Sequence, residues 1–147
     1  FSIFTQGCPH HCKGCHNPQT HDFSGGHDED TEEIIAQFSK NVLLSGITLS
    51  GGEPFCQPEA CEELARAAKK QGLTVWAFTG YIFEELQEGF PEHPEWKKLL
   101  EQVDVLVDGR FEEQRRTLEC PWRGSDNQRL LDAKASLISG SAVEAVL

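Results

Sequence analysis

Short apolar runs bounded by turn residues alternate along the chain with amphipathic stretches of helical period. "FSIFTQ", Phe1 to Gln6, is aromatic and β-branched and predicts a strand, whose carboxyl end delivers the chain into the loop "GCPHHCKGCHNP" of residues 7–18. Residues 17–30 are polar and rich in Gly, Asp and Asn. They close on Asp30 with Glu33 three positions later, a capping-box pattern that predicts a helix from about Thr31 to Asn41 with Ile34, Ile35 and Phe38 inward. "GITLS", Gly46 to Ser50, predicts the next strand and runs into "GGEP"; Pro58 to Gln71 predicts a helix stopped by Gly72; "LTVWAFT", Leu73 to Thr79, predicts a third strand. A shorter helix is expected over Ile82 to Gln87 and another over Pro94 to Gln102. "VDVLVDG", Val103 to Gly109, is apolar at most positions, as buried parallel strands are. The closing "RLLDAKASLIS" reads as extended.

Strand followed by helix, repeated without linker or low-complexity tract, implies a mostly parallel sheet with helices packed against it. A full eight-stranded barrel needs ~200 or more residues. The chain has 147, so the expected fold is α/β, an open partial (β/α) barrel, with residues 1–147 as one domain. It contains no Met and opens on an apolar strand, so a preceding N-terminal stretch is expected to be missing.

Charge narrows the partners. Thirteen Lys and Arg stand against 24 Asp and Glu, a formal net charge of −11, and the basic stripe that would grip a phosphate backbone is missing, so nucleic acid is excluded as a partner. No apolar run approaches the ~20 residues that span a bilayer, and no signal-peptide pattern opens the chain; a soluble, cytoplasmic protein is expected. Three of the six cysteines crowd into eight positions, Cys8, Cys12 and Cys15, which suits metal binding by thiols in a reducing compartment better than a disulfide framework.

Three thiolates on one loop leave a coordination position to be filled. One reading is structural zinc completed by His16 or His21. The other is a 4Fe–4S cluster held at three irons, its fourth iron open to a substrate. "TLSGGEP", Thr48 to Pro54, has the same double character: a glycine turn before a helix, or two glycines exposing backbone groups to a small polar ligand with the carboxylate of Glu53 beside them.

Together, CxxxCxxC after the first strand and GGEP after the second resemble the radical S-adenosylmethionine superfamily. The resemblance implies that Cys8, Cys12 and Cys15 bind the cluster, that the open iron is chelated by the methionine part of S-adenosylmethionine, and that Gly51, Gly52 and Glu53 hold that methionine end. It places Gly14 and His16, which flank Cys15, beside the adenine; many members carry an aromatic residue where this chain has Gly14. A Val at Gly52 is then expected to weaken S-adenosylmethionine binding and leave iron content nearly unchanged.

Within the superfamily, "GCPHHCKGCHNPQT", "FTGY" (Phe78 to Tyr81), "DVLVDGRF" (Asp104 to Phe111) and "RGSDNQRLLD" (Arg123 to Asp132) resemble the small glycyl-radical activating enzymes, most closely the activators of anaerobic ribonucleoside-triphosphate reductase. The implied chemistry is that of an oxidoreductase. Reductive cleavage of S-adenosylmethionine yields a 5′-deoxyadenosyl radical that takes a hydrogen from a glycine on the reductase's glycyl-radical loop, the electron coming from a small donor such as flavodoxin. The alternatives are an activase of the pyruvate formate-lyase type, a radical enzyme acting on a small molecule, and a zinc-binding α/β module without catalytic activity.

The remaining residues are read plainly. Asp104, Asp108, Tyr81 and the segment Gly124–Arg129 are either ribose or rim contacts or strand-end turns and caps. Cys56, Cys61 and Cys120 are expected as small buried hydrophobes, His10, His11, His21 and His27 as solvated loop residues, and Trp76 as core; Trp96 and Trp122 are left unplaced.

Overall fold

The computed structural model describes residues 1–119 and 122–146; Cys120 lies outside the described residues. Its strands and helices alternate as β1 (Ser2–Thr5), α1 (Thr31–Ser39), β2 (Gly46–Gly51), α2 (Pro58–Lys70), β3 (Thr74–Phe78), α3 (Phe83–Gly89), α4 (Pro94–Glu101), β4 (Val105–Asp108), β5 (Arg129–Asp132) and α5 (Ala133–Ser139). The five strands form one sheet in chain order. β1 to β4 pair in parallel and β5 returns antiparallel along β4, with Leu106 opposite Leu131.

Because successive parallel crossovers are right-handed and each steps in the same direction, the helices fall on one face of the sheet. The core lies between that face and the helices. Ile47, Leu49, Val75, Ala77, Leu106 and Leu131 from the strands pack with Phe38 of α1, Leu64, Ala65 and Ala68 of α2, Phe83 and Leu86 of α3, and Leu99 and Leu100 of α4. None of the described helices is long and apolar enough to cross a membrane.

Local chemistry sets the ends of the elements. Asp30 caps α1, its Oδ1 accepting from Glu32 N at 2.9 Å. The helix stops at Ser39 rather than Asn41 because the Asn41 side chain forms its own turn, Oδ1 accepting from Leu43 N at 3.0 Å. α2 ends in a Schellman pair: Leu73 N donates to Ala68 O and Gly72 N to Lys69 O, both at 3.0 Å, with Gly72 at φ +78°.

Two expectations are corrected. The C-terminal "RLLDAKASLIS" is extended only to Asp132; there Oδ1 of Asp132 accepts from Ala135 N at 2.9 Å and α5 begins, ending at Gly140 with φ +74°. Trp76 is not in the helix-covered core. Strand alternation points Val75 and Ala77 at the helices and turns Trp76 to the opposite face, where its ring meets that of Trp122 edge-on at 5.4 Å. Phe4, 59% exposed, lies in the edge strand β1. Trp96 is placed by its indole, which donates to Phe55 O at 2.8 Å.

Two residues expected at the rim are structural. Asp104 accepts from Lys69 Nζ and Val75 N, both at 2.7 Å, and so pins the start of β4 to α2 and β3. Asp108 is fully buried; it accepts from Phe83 N at 2.8 Å and from Arg129 Nε and an Arg129 terminal nitrogen at 3.0 and 2.5 Å, joining β4, β5 and α3. The guanidinium, which also donates to Glu84 at 2.7 Å, has its pKa raised by these two carboxylates, Asp108 first. Removing it strands a buried carboxylate, so Arg129→Ala is expected to lower unfolding stability by about 3 kcal/mol. Arg129→Lys should recover only part of that, since an ammonium cannot span both oxygens; chemical denaturation of the three proteins measures it.

Candidate functional site

The carboxyl ends of β1 to β4 surround a cavity of about 280 Å³ whose lining includes Cys8, Cys12, Cys15, Gly51, Gly52 and His16. Backbone pairing builds it. Beyond β1, Gly7 N donates to Thr20 O at 2.7 Å and Cys8 N to His21 O at 3.1 Å, closing the cysteine loop into an excursion from the sheet. The β1–β2 ladder continues past the strands: Gly52 N donates to Thr5 O at 2.8 Å and Glu53 N to Gly7 O at 2.9 Å. The excursion turns through His11 at φ 50° and Gly14 at φ 76°.

The double glycine is demanded by this close approach. A Cβ at Gly51 would meet Thr5 N at 2.6 Å, and one at Gly52 would meet Gly7 O at 2.5 Å. The side on which a substituent would grow is therefore filled by backbone, that of β1 at Gly51 and that of the cysteine loop at Gly52, while both glycines still line the cavity.

Glu53 does not line it. The carboxylate is 0% exposed; Oε1 accepts from His10 Nε2 at 2.7 Å and Gly80 N at 2.8 Å, Oε2 from Phe55 N at 3.0 Å, and Thr79 Oγ1 lies 2.9 Å from both. Both oxygens are thus occupied by protein donors. His10, expected as solvated, is a correction: its side chain is 4% exposed and paired with this carboxylate. Sequence spacing could not signal the pair, whose members stand 43 residues apart.

The other flanking residues divide. His16 lines the cavity, its ring 5.1 Å from that of Phe111 and its Nε2 3.4 Å from an Arg116 nitrogen. Gly14 does not line the cavity but faces outward against Glu113, whose Cδ would lie 3.0 Å from a Cβ there. Gly124 and Gln128 belong to the lining, whereas Tyr81 packs edge-on against His10 at 4.7 Å. Gln128 ties its segment down: Oε1 accepts from Gly124 N at 2.9 Å, and Nε2 donates to Gly109 O at 3.0 Å.

Burial pushes the Cys8 and Cys12 thiols up, the backbone near them at His10 and Phe111 respectively opposes it, and the neighbouring thiols add to it. The three thiols line one cavity and form a donor set there for a metal centre. Among the described residues no three or more His, Cys, Asp or Glu side chains, Cys8, Cys12 and Cys15 included, stand close enough together to hold a single metal ion. Thiols spread around a cavity suit a cluster, in which each binds a different iron.

Cys56 and Cys61 behave differently. Burial and the charge of Glu53 push them up to about 11 and about 12. With so little thiolate at neutral pH, both should resist iodoacetamide in the folded protein and react fully in denaturant, as mass mapping of the alkylated peptides would report. Gly52→Ala should both destabilise the fold, by about 1–3 kcal/mol, and reduce the iron bound, because its methyl group displaces Gly7 at the mouth of the cysteine loop. Thermal unfolding and iron analysis check this, and they replace the expectation that a side chain at Gly52 spares the iron.

The model for the 4Fe–4S single cluster domain matches residues 1–131. The chain is 34% identical over 136 residues to the anaerobic ribonucleoside-triphosphate reductase-activating protein of Enterobacteria phage T4, covering 87% of this chain and 80% of that protein. It is 35% identical over 135 residues to the protein of that name from Vibrio cholerae, covering 86% and 83%, and 29% identical over 136 residues to that of Escherichia coli K12, covering 86% and 84%. On a match spanning the cysteine loop, the GGEP turn and the whole sheet up to Leu131, the chain belongs to the 4Fe–4S single cluster domain family and, within it, to the activating proteins of anaerobic ribonucleoside-triphosphate reductase.

Proposed function

We propose that this chain is the activating enzyme of an anaerobic ribonucleoside-triphosphate reductase, with Cys8, Cys12 and Cys15 as the three ligands of a 4Fe–4S cluster and S-adenosylmethionine as cosubstrate. The observation that carries the reading is the meeting of the three thiols with the backbone of Gly51 and Gly52 on one cavity at the carboxyl ends of the parallel strands. When bound, the cluster supplies one electron for cleavage of the sulfonium, ahead of hydrogen removal from a glycine of the reductase.

The residues of the chain then have separate tasks. Gly51 and Gly52 bring their backbone to the methionine end, with carbonyl groups as the acceptors since Gly52 N–H is held by Thr5 O, and Glu53 fixes their position from behind. His16 and Phe111 supply the aromatic wall for the adenine, with Arg116 over the Phe111 ring at 5.9 Å. Gly14 lets the loop turn so that Cys15 and His16 face inward. The singly wound sheet serves as the open, partial (β/α) barrel, and the face without helices, where Phe78 borders the cavity, leaves room for a partner's loop. The electron comes from a small donor of the flavodoxin type.

Anaerobic reconstitution tests the ligand set. The wild-type chain should turn brown, hold ~4 irons and release 5′-deoxyadenosine from S-adenosylmethionine when reduced. Cys8→Ala, Cys12→Ala and Cys15→Ala should each abolish the cleavage, whereas Cys56→Ala and Cys61→Ala should keep it. A colourless, zinc-loaded chain, or loss of cleavage on either of the last two substitutions, is the result against it.

A further inference from the structure

We infer that the helix-free face of β1 to β3 selects the partner polypeptide, with Trp76 as its anchor, and that it takes an extended segment without charged side chains adjoining the reacting glycine. The inference rests on the function proposed above and deepens it.

The pairing register sets the outward side chains of the three strands in rows. Ser2, Thr48 and Trp76 stand side by side, and Phe4 lies beside Ser50 in the row nearer the cavity, which Ser50 and Phe78 line. Ile3, Ile47, Leu49, Val75 and Ala77 turn the other way, toward the helix-covered core. Asp, Glu, Lys and Arg make up 25% of the chain, yet none of them occupies an outward position of these strands. An aromatic face without charge, with Phe4 59% exposed, has the composition of the centre of an interface. A groove of about 320 Å³ follows β3 along this face from Phe78 to Thr74, lined by Thr48 and Trp76 and walled by Trp122, whose ring meets that of Trp76 at 5.4 Å. Phe78 lines both this groove and the cavity, so the two are continuous.

The chemistry identifies the occupant. Removing a hydrogen from a glycine Cα requires the partner's backbone at the cavity, so the residues next to that glycine must leave across the adjoining surface. The stretch from Phe78 to Thr74 is about 13 Å long and accommodates four extended residues. β2 and β3 lie inside the sheet with their backbone paired on both sides. The grip therefore comes from side chains: apolar contact on Trp76 and Phe4, and the Thr48 and Ser50 hydroxyls, which can donate or accept. A charged side chain laid on this strip would lose its water and meet no counter-charge. A nucleotide does not suit it either, since the strip has no cation for a phosphate and the formal charge of the chain is −11.

Carbene footprinting of the reconstituted chain, with and without full-length reductase, should show Phe4 and Trp76 protected in the complex while Ile138, 80% exposed on α5, stays labelled. Trp76→Ala should weaken reductase binding roughly thirtyfold, as loss of an interface anchor does, and Thr48→Glu should weaken it as well. Both should keep the wild-type rate of S-adenosylmethionine cleavage without reductase, and Lys97→Glu, on the exposed side of α4, should keep wild-type binding. If Trp76→Ala does not fold, Thr48→Glu and the wild-type footprint decide. Unprotected Phe4 and Trp76 in the complex, wild-type affinity in Thr48→Glu, or an effect of Thr48→Glu on self-association alone overturns the inference. A wild-type chain that binds no reductase would instead sink the proposed function, whereas one that binds it and leaves this face labelled loses only the docking surface.

Discussion

A carboxylate with no exposed surface organises this site. Glu53 leaves β2 where the cysteine loop, the end of β3 and the turn leading into α2 all reach it, and each contributes a donor: His10, Thr79 with Gly80, and Phe55. A buried charge of this kind is tolerable only while every partner stays in place. The same requirement that keeps Glu53 satisfied therefore holds the three segments together, and the cavity is the space they leave between them. Its carboxylate lies behind the Gly51–Gly52 backbone that lines the cavity.

The glycines follow from that closeness. Backbones packed within van der Waals distance leave no room for a methyl group at Gly51, Gly52 or Gly80, and each of these positions abuts a different piece of the cysteine loop or its approach: Thr5, Gly7 and the His10 ring. "SGGEP" and "FTG" are thus parts of one packing solution. At the far side of the cavity the segment after β4 completes the enclosure, held by Gln128, whose amide serves Gly124 and Gly109 at once.

Much of this was legible along the chain. The apolar runs and their period placed all four parallel strands and the helices between them, and the spacing of Cys8, Cys12 and Cys15 after a strand marked the chemistry, because ligand spacing on a loop is a local property. What stayed hidden was long-range or depended on which face was covered. His10 reads as one more polar-loop histidine until Glu53 and Arg110 are seen against it. Asp108 reads as a strand-end carboxylate until Arg129, 21 residues on, closes over it. Period-two alternation told that Val75 and Trp76 point opposite ways but not which face the helices would take; the answer lies in the handedness of the crossovers. The last helix was missed although Asp132 and Gly140 bracket it as cap and stop, because two leucines before the cap carry the β pattern.

The pairing of the cysteine loop with distant segments has a consequence for the order of assembly. The three cysteines precede the segments that pack on them, and their own stretch supplies only the closing pairs from Gly7 and Cys8 to Thr20 and His21 and the turn from Cys15 N to Cys12 O. Glu53 follows them, then Gly80, and last the segment after β4, with Arg110 standing 100 residues from the histidine it meets. Contacts so far apart in sequence form slowly, since loop closure must precede any reward from the contact. The cysteine loop therefore gains its full set of neighbours only when the segment after β4 has joined the sheet, so that fold and site are completed in the same step.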